Sequence, residues 1–157
     1  RGESKFLMAF IGGGLGKGLI EKWIINNPDT PVTSLPYQLI NNLHRSLSAA
    51  DVHLVSMGDD MIGCIHPCKI YAAMAIGKPI LLLGNTPNHI TEILNDYDIG
   101  WSIKHGDTGS MIKMLAYLRD VDRDLLLDKG RNAKKVIEGK FSQKMLLNKF
   151  CDCIEKI

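Results

Sequence analysis

Short apolar runs alternate along this chain with stretches whose apolar residues recur every three or four positions. The run "KFLMAFIGGG", Lys5 to Gly14, is too short for a lone buried helix and ends in glycines, so it predicts a parallel-type strand feeding a tight turn. In "GKGLIEKWIINN" the apolar positions Leu19, Ile20, Trp23 and Ile24 have helical spacing, and the pattern stops before Pro28. "TPVTSLPYQ" reads as a short strand and turn, and "LINNLHRSLSAAD" puts Leu39, Leu43 and Leu47 on one helical face. "VHLVSM", Val52 to Met57, is a third strand, followed by the polar loop "GDDMIGCI". The helix in "HPCKIYAAMAIGKP" leads into the strand "PILLLG". After it come a loop, a short helix and turn in "NTPNHITEILNDYDIG", an edge strand in "WSIK", and three helices from Ser110 onward. Strands alternating with helices predict an α/β fold: a parallel sheet with helices on both faces and extra helices at the carboxyl end. Such sheets bind ligands beyond the carboxyl ends of their strands.

Length and charge narrow the function classes. The 157 residues are the size of one domain, able to bury a core without staples. The 19 basic and 17 acidic residues leave a net charge of +2, with no aromatic residues interleaved in a basic stripe, which argues against nucleic-acid binding. No apolar run approaches the roughly 18–20 residues of a membrane span, and no signal peptide is visible. Cys64, Cys68, Cys151 and Cys153 match neither zinc-ligand nor disulfide-scaffold spacing, so they read as reduced thiols in a cytoplasmic protein, and no metal is expected. The chain starts at Arg1 without Met, as an excised domain would, or a chain whose start has been omitted.

Two segments carry candidate chemistry. Gly12, Gly13, Gly14, Gly16 and Gly18 suggest a nucleotide fingerprint, but G-x-G-x-x-G begun at Gly12 would need glycine at Lys17. The P-loop pattern would need glycine at Ile11 and Ser or Thr at Gly18. What remains is a turn whose backbone is able to approach a ligand, or simply a tight turn, with Lys17 either an anion contact or a solvated lysine. The second segment is the start of the helix after His66. Pro67 suits a first turn and Gly77 a left-handed stop, while Ile70, Ala73, Met74 and Gly77 make one face. Ala72, Ala73 and Ala75 are expected to keep that helix thin against the sheet. Unpaired backbone N–H groups around Cys68 and Lys69, the helix dipole and the Lys69 ammonium together make an anion site. An ordinary helix start with an exposed lysine is the alternative.

"ADVHLVSM", "HPCKIYAAMAIGKPILLLG", "EILNDYDIGWSI" and "HGD", in this order and spacing, resemble the carboxyl-terminal domain of GT-B glycosyltransferases of family 4. "LPYQ" and "SLSAADVHLVS" resemble its branch with P-S-K in place of a longer acidic motif. The resemblance implies a Rossmann-like domain over residues 1–157, the greater part of one half of a two-domain enzyme. That half binds a nucleotide diphosphate sugar and lacks the N-terminal acceptor domain. Leu35, Pro36 and Tyr37 then lie beside the base. Gly63, His66, Cys68 and Lys69 hold the diphosphate and donor sugar, with Gly13 and Gly14 as further donor contacts. Cys68 stands where the branch has serine, and Cys64 and Ala72 stand where many members have glutamates, so Asp59 or Asp60 is expected to supply a carboxylate. Glu92 is given a structural role. The resemblance further implies retaining chemistry without metal or cofactor, and bacterial polysaccharide or lipid-linked glycan synthesis at the inner face of a membrane. It also implies that the fragment alone is inactive, with catalytic residues unassigned. The rivals are a nucleotide-sugar epimerase of the same shape and a non-catalytic doubly wound binding or regulatory domain.

Overall fold

The computed structural model describes residues 6–65 and 67–155. Its strands are β1 (Met8–Ile11), β2 (Val32–Leu35), β3 (His53–Ser56), β4 (Ile80–Leu83) and β5 (Gly100–Ile103). The helices are α1 (Lys17–Asn26), α2 (Leu43–Ser48), α3 (Lys69–Ala75), α4 (His89–Asp96), α5 (Thr108–Asp120), α6 (Arg123–Lys140) and α7 (Gln143–Ile154). Every ladder is parallel, as the alternation of strand and helix predicts, and the α/β class is that of parallel sheets flanked by helices. The ladders fall into a two-stranded sheet, β1-β2, and a three-stranded sheet, β3-β4-β5. The chain divides accordingly into a unit ending at Ser46 and a unit beginning at Leu47. Among the described residues no helix is long and apolar enough to cross a membrane.

In the first unit, register pairs Met8 with Val32 and Ile11 with Leu35, so the carboxyl ends of both strands emerge side by side. Helix α1 packs on β2. The helix expected over Leu39 to Asp51 is shorter: a 3₁₀ turn at Ile40–Asn42 precedes α2 at Leu43, and Leu39 and Leu43 are exposed. Leu39 is extended, with ψ 143°, which puts it ahead of the helix and off the expected face.

The second unit holds the core. Val55 of β3, Ile80 and Leu82 of β4 and Ile99 pack with Ile70, Ala73 and Met74 of α3, Ile90 and Ile93 of α4 and Ala133 of α6. The apolar face predicted for α3 is the buried one, but Ala73 alone of its three alanines is buried; Ala72 and Ala75 are exposed. One small residue at the contact is enough for the close approach. At the carboxyl end of α3, Gly77 has φ +68°. The Lys78 N–H reaches the Ala73 carbonyl and the Gly77 N–H the Met74 carbonyl, each at 3.0 Å, which is the Schellman arrangement the "GKP" sequence predicts. At the other end Pro67 lies outside the α-helix, one residue before the N-cap Cys68. Tight bonds from the Ile70 and Tyr71 N–H groups to the Pro67 and Cys68 carbonyls start the chain turning before α-helical bonding begins.

Half-buried His53 donates from Nε2 to the Leu47 carbonyl at 2.9 Å. Burial lowers its pKa, the carbonyl bond opposes this, and the nearby Lys78 charge lowers it further. The folded chain therefore withholds a proton that the unfolded chain takes up near pH 6.5. Stability is complete above that pH and falls as pH drops through it toward the lower folded value. In His53→Gln, thermal melts between pH 5 and 8 should lose that acid-side slope.

Candidate functional site

The carboxyl ends of β3, β4 and β5 release three segments at one edge of the second sheet: residues 57–65, 84–88 and 104–107. Between the first two lies a cleft of about 440 Å³. Met57, Ile62, Gly63, Cys64 and Ile65 form one wall, and Pro87, Asn88, His89 and Glu92 the other. This is the edge where a parallel sheet presents ligand-binding loops.

Two helix starts stand at this edge, and they differ in what their N–H groups do. The start of α4 is closed by its own residues. The Asn88 Oδ1 accepts from the Ile90 N–H at 2.8 Å and the Thr91 N–H at 3.0 Å, while the Thr91 hydroxyl accepts from the Asn88 N–H at 2.9 Å. This capping box is buried and contributes about 1 kcal/mol to holding its wall. At α3 the N-cap residue Cys68 gives no side-chain cap bond, and the Ile70 and Tyr71 N–H groups turn back to the Pro67 and Cys68 carbonyls at 3.3 and 3.2 Å instead. Lys69 follows it, exposed, with no ion pair among the described residues.

Tyr71, in the first turn of α3, hydrogen-bonds through its hydroxyl to His89 Nε2 at 2.8 Å and so joins α3 to the first residue of α4. Burial and the neighbouring Cys68 push the Tyr71 pKa up, so the hydroxyl keeps its proton at neutral pH. Glu92, one turn beyond His89, presents an exposed carboxylate on the cleft wall; its place is on the lining as well as in α4. Asp59 is paired with His105 Nδ1 at 3.0 Å, whereas Asp60 is exposed and has no ion pair among the described residues.

Of the residues singled out from sequence, Gly63, with φ +81°, lines the cleft, and Cys68 and Lys69 stand at the start of α3. His66 lies outside the described residues. Cys64 lines the cleft as an exposed thiol, and Cys68, Cys151 and Cys153 are likewise exposed, none of the four in a disulfide. His89, Tyr71 and His105 were not singled out from the sequence. A histidine after an Asn cap in "PNHITE" is the local signal for His89, whereas His105 is tied to Asp59 across 46 residues and has no local signal.

In the first unit, the glycine turn and the Leu35–Pro36–Tyr37 turn come together. The Gly12 N–H donates to the Leu35 carbonyl at 3.0 Å. The Tyr37 ring lies on the glycine backbone: a Cβ on Gly13 would stand 2.7 Å from its Cε2 and one on Gly12 3.4 Å from its Cε1. Gly12 and Gly14 take φ +126° and +130°, a region that side chains resist. Tyr37 remains 78% exposed. Lys17 is not simply a solvated lysine. Its ammonium donates to the Gly12 carbonyl at 2.7 Å and the Leu35 carbonyl at 3.2 Å, and so staples the two turns.

No protein-family profile matches the chain. Over 155 residues, 99% of its length, it is 26% identical to the probable glycosyltransferase WbjE of Pseudomonas aeruginosa. It spans 38% of the length of that protein.

Proposed function

We propose that this chain is the donor-binding half of a glycosyltransferase, taking the diphosphate of a nucleotide sugar at the α3 end of the cleft in the second unit. The observation that carries the reading is similarity along 99% of the chain to a protein named as a probable glycosyltransferase. The parallel α/β architecture and the ordered motifs from "ADVHLVSM" to "HGD" support it, as does the cleft at the carboxyl edge of β3-β4-β5. Within the proposal the enzyme belongs to the P-S-K branch of GT-B family 4, is retaining, and acts in bacterial polysaccharide or lipid-linked glycan synthesis with an acceptor domain supplied elsewhere.

Gly63, Cys68 and Lys69 are the diphosphate contacts of this reading. In this reading the chain just ahead of α3 and the exposed Lys69 ammonium meet the negative charge that grows on the departing diphosphate. A dipole contact contributes about 0.3–2 kcal/mol and a charge-assisted hydrogen bond about 1.5–3 kcal/mol. Two or three of these suffice for a measurable share of donor affinity. Glu92 and Asp60 offer carboxylates to sugar hydroxyls. Cys64 and Ala72 leave the usual glutamate contacts to other groups.

Calorimetric titration at low salt with uridine, guanosine, adenosine and thymidine diphosphates, each against its nucleoside, tests the reading. At least one diphosphate should bind and its nucleoside should bind much more weakly. Equal binding of nucleoside and diphosphate, or binding of none, would overturn it. Transfer assays with this chain alone should give no product.

A further inference from the structure

The two walls of the cleft are held by different means. The α4 wall is fixed by the buried Asn88–Thr91 capping box and by Ile90 and Ile93 in the core. The opposite wall comes from buried Met57 and from residues 58–65, every one of the latter exposed. Among the described residues, one side-chain hydrogen bond or ion pair joins that segment to another element: Asp59 Oδ1 to His105 Nδ1 at 3.0 Å. The other ring nitrogen of His105 stands 3.4 Å from the Ser56 hydroxyl, at the end of β3.

We infer that Asp59 and His105 are positioning residues of the cleft, whose pair sets where residues 58–65 stand and therefore how well the cleft receives a nucleoside diphosphate. The ligand part rests on the proposed function; the placement of the segment does not. The chain of contacts is short. Asp59 opens a 3₁₀ turn, Asp59–Met61, in which the Met61 N–H reaches the Gly58 carbonyl at 3.1 Å and the Ile62 N–H reaches the Asp59 carbonyl at 3.3 Å. The Cys64 and Ile65 N–H groups then both bond to the Met61 carbonyl, at 3.0 and 3.1 Å. These successive turns carry the position of Asp59 to Gly63 and Cys64 on the cleft wall. At the far end His105 stands on a firm base. Ile103 before it is buried, the Asp107 N–H bonds back to the Lys104 carbonyl, and the Asp107 carboxylate caps α5 through the Ser110 N–H at 2.9 Å.

The imidazole serves this purpose in either charge state. Neutral, with its proton on Nδ1, it donates to Asp59 and accepts from the Ser56 hydroxyl; protonated, it donates to both. The pair is partly open to water, with His105 27% and Asp59 46% exposed, so its loss should loosen one segment and leave the core intact.

Amide hydrogen exchange and titration of Asp59→Ala, His105→Ala, the double variant and His105→Asn test this. Exchange at amides 60–65 should quicken three- to tenfold in both single variants and no further in the double, with α4 amides and the melting temperature unchanged. His105→Asn, which keeps an N–H near the Nδ1 position, should restore most of the protection. The diphosphate that binds wild type best should weaken three- to tenfold in each single variant, and the double should lose no more. Unchanged exchange at 60–65, or additive losses in the double, would overturn the inference. Should no diphosphate bind wild type, the proposed function fails, and exchange alone decides the role of the pair.

Discussion

Gly130→Ala should unfold the second unit at a temperature roughly 10 °C below that of the parent chain. Gly130 sits on α6 where that helix meets the end of α3, and a Cβ there would stand 2.0 Å from the Gly77 carbonyl oxygen and 2.8 Å from its carbon. Neither contact is with a flexible side-chain tip. The Gly77 carbonyl belongs to a left-handed residue, φ +68°, locked by the Schellman bonds, so the backbone has little room to yield. Overpacking of this kind costs about 3 kcal/mol, which for a chain of this size converts to the drop stated. The loss should appear as a lower melting temperature with unchanged helical content at 10 °C. Gly139→Ala, on the same helix with nothing within 4 Å of its Cβ, is the control and should melt at or slightly above the parent temperature. An unshifted Gly130→Ala would mean that α3 and α6 do not approach this closely.

Lys69→Ala should leave the fold intact and weaken nucleoside diphosphate binding ten- to a hundredfold. The side chain is exposed at the first position of α3 and has no ion pair among the described residues, so its removal disturbs no packing. Alanine is the best helix former, so the helix itself gains slightly. The binding loss corresponds to one charge-assisted hydrogen bond, about 1.5–3 kcal/mol. Lys78→Ala removes an equal charge beyond the opposite end of the same helix and should cost much less. Nucleoside without phosphate should bind both variants alike. Equal losses at Lys69 and Lys78 would show that the lysines act through general charge, and the diphosphate contacts would have to be sought elsewhere.

The sequence revealed features whose causes are local. The "GKP" stop of α3, the Val55, Ile80 and Leu82 strand core and the Ile70–Ala73–Met74 face are each written within a few consecutive residues. Strand ends follow from glycine and proline, which is why β1, β2, β3 and β4 fall inside the apolar runs that predict them. The misread elements are those where local patterns compete. "LINNLHRS" has helical spacing, yet its asparagines favour turns, and a 3₁₀ segment takes the first half. Pro67 fits a first helical turn as well as it fits the residue before a cap, and the tight bonding around Cys68 decides between them. The candidate site divides in the same way. Gly63, Cys68 and Lys69 were legible because a polar glycine loop before a bounded helix is a local signature. The Tyr71–His89 and Asp59–His105 pairs join residues 18 and 46 positions apart, and no periodicity encodes them. Lys17 shows a further limit, since its use as a staple between two backbone turns depends on the β1–β2 register that sets Ile11 beside Leu35.

The most direct test of the central claim is to record amide chemical shifts of the isotope-labelled chain while it is titrated with the four nucleoside diphosphates. Donor binding at the proposed place predicts that one of them moves Gly63, Cys64, Cys68 and Lys69 and the facing residues His89 and Glu92, with the amides of α6 and α7 unmoved. Shifts confined to α6 and α7, or a spectrum unchanged by all four diphosphates at millimolar concentration, would contradict it.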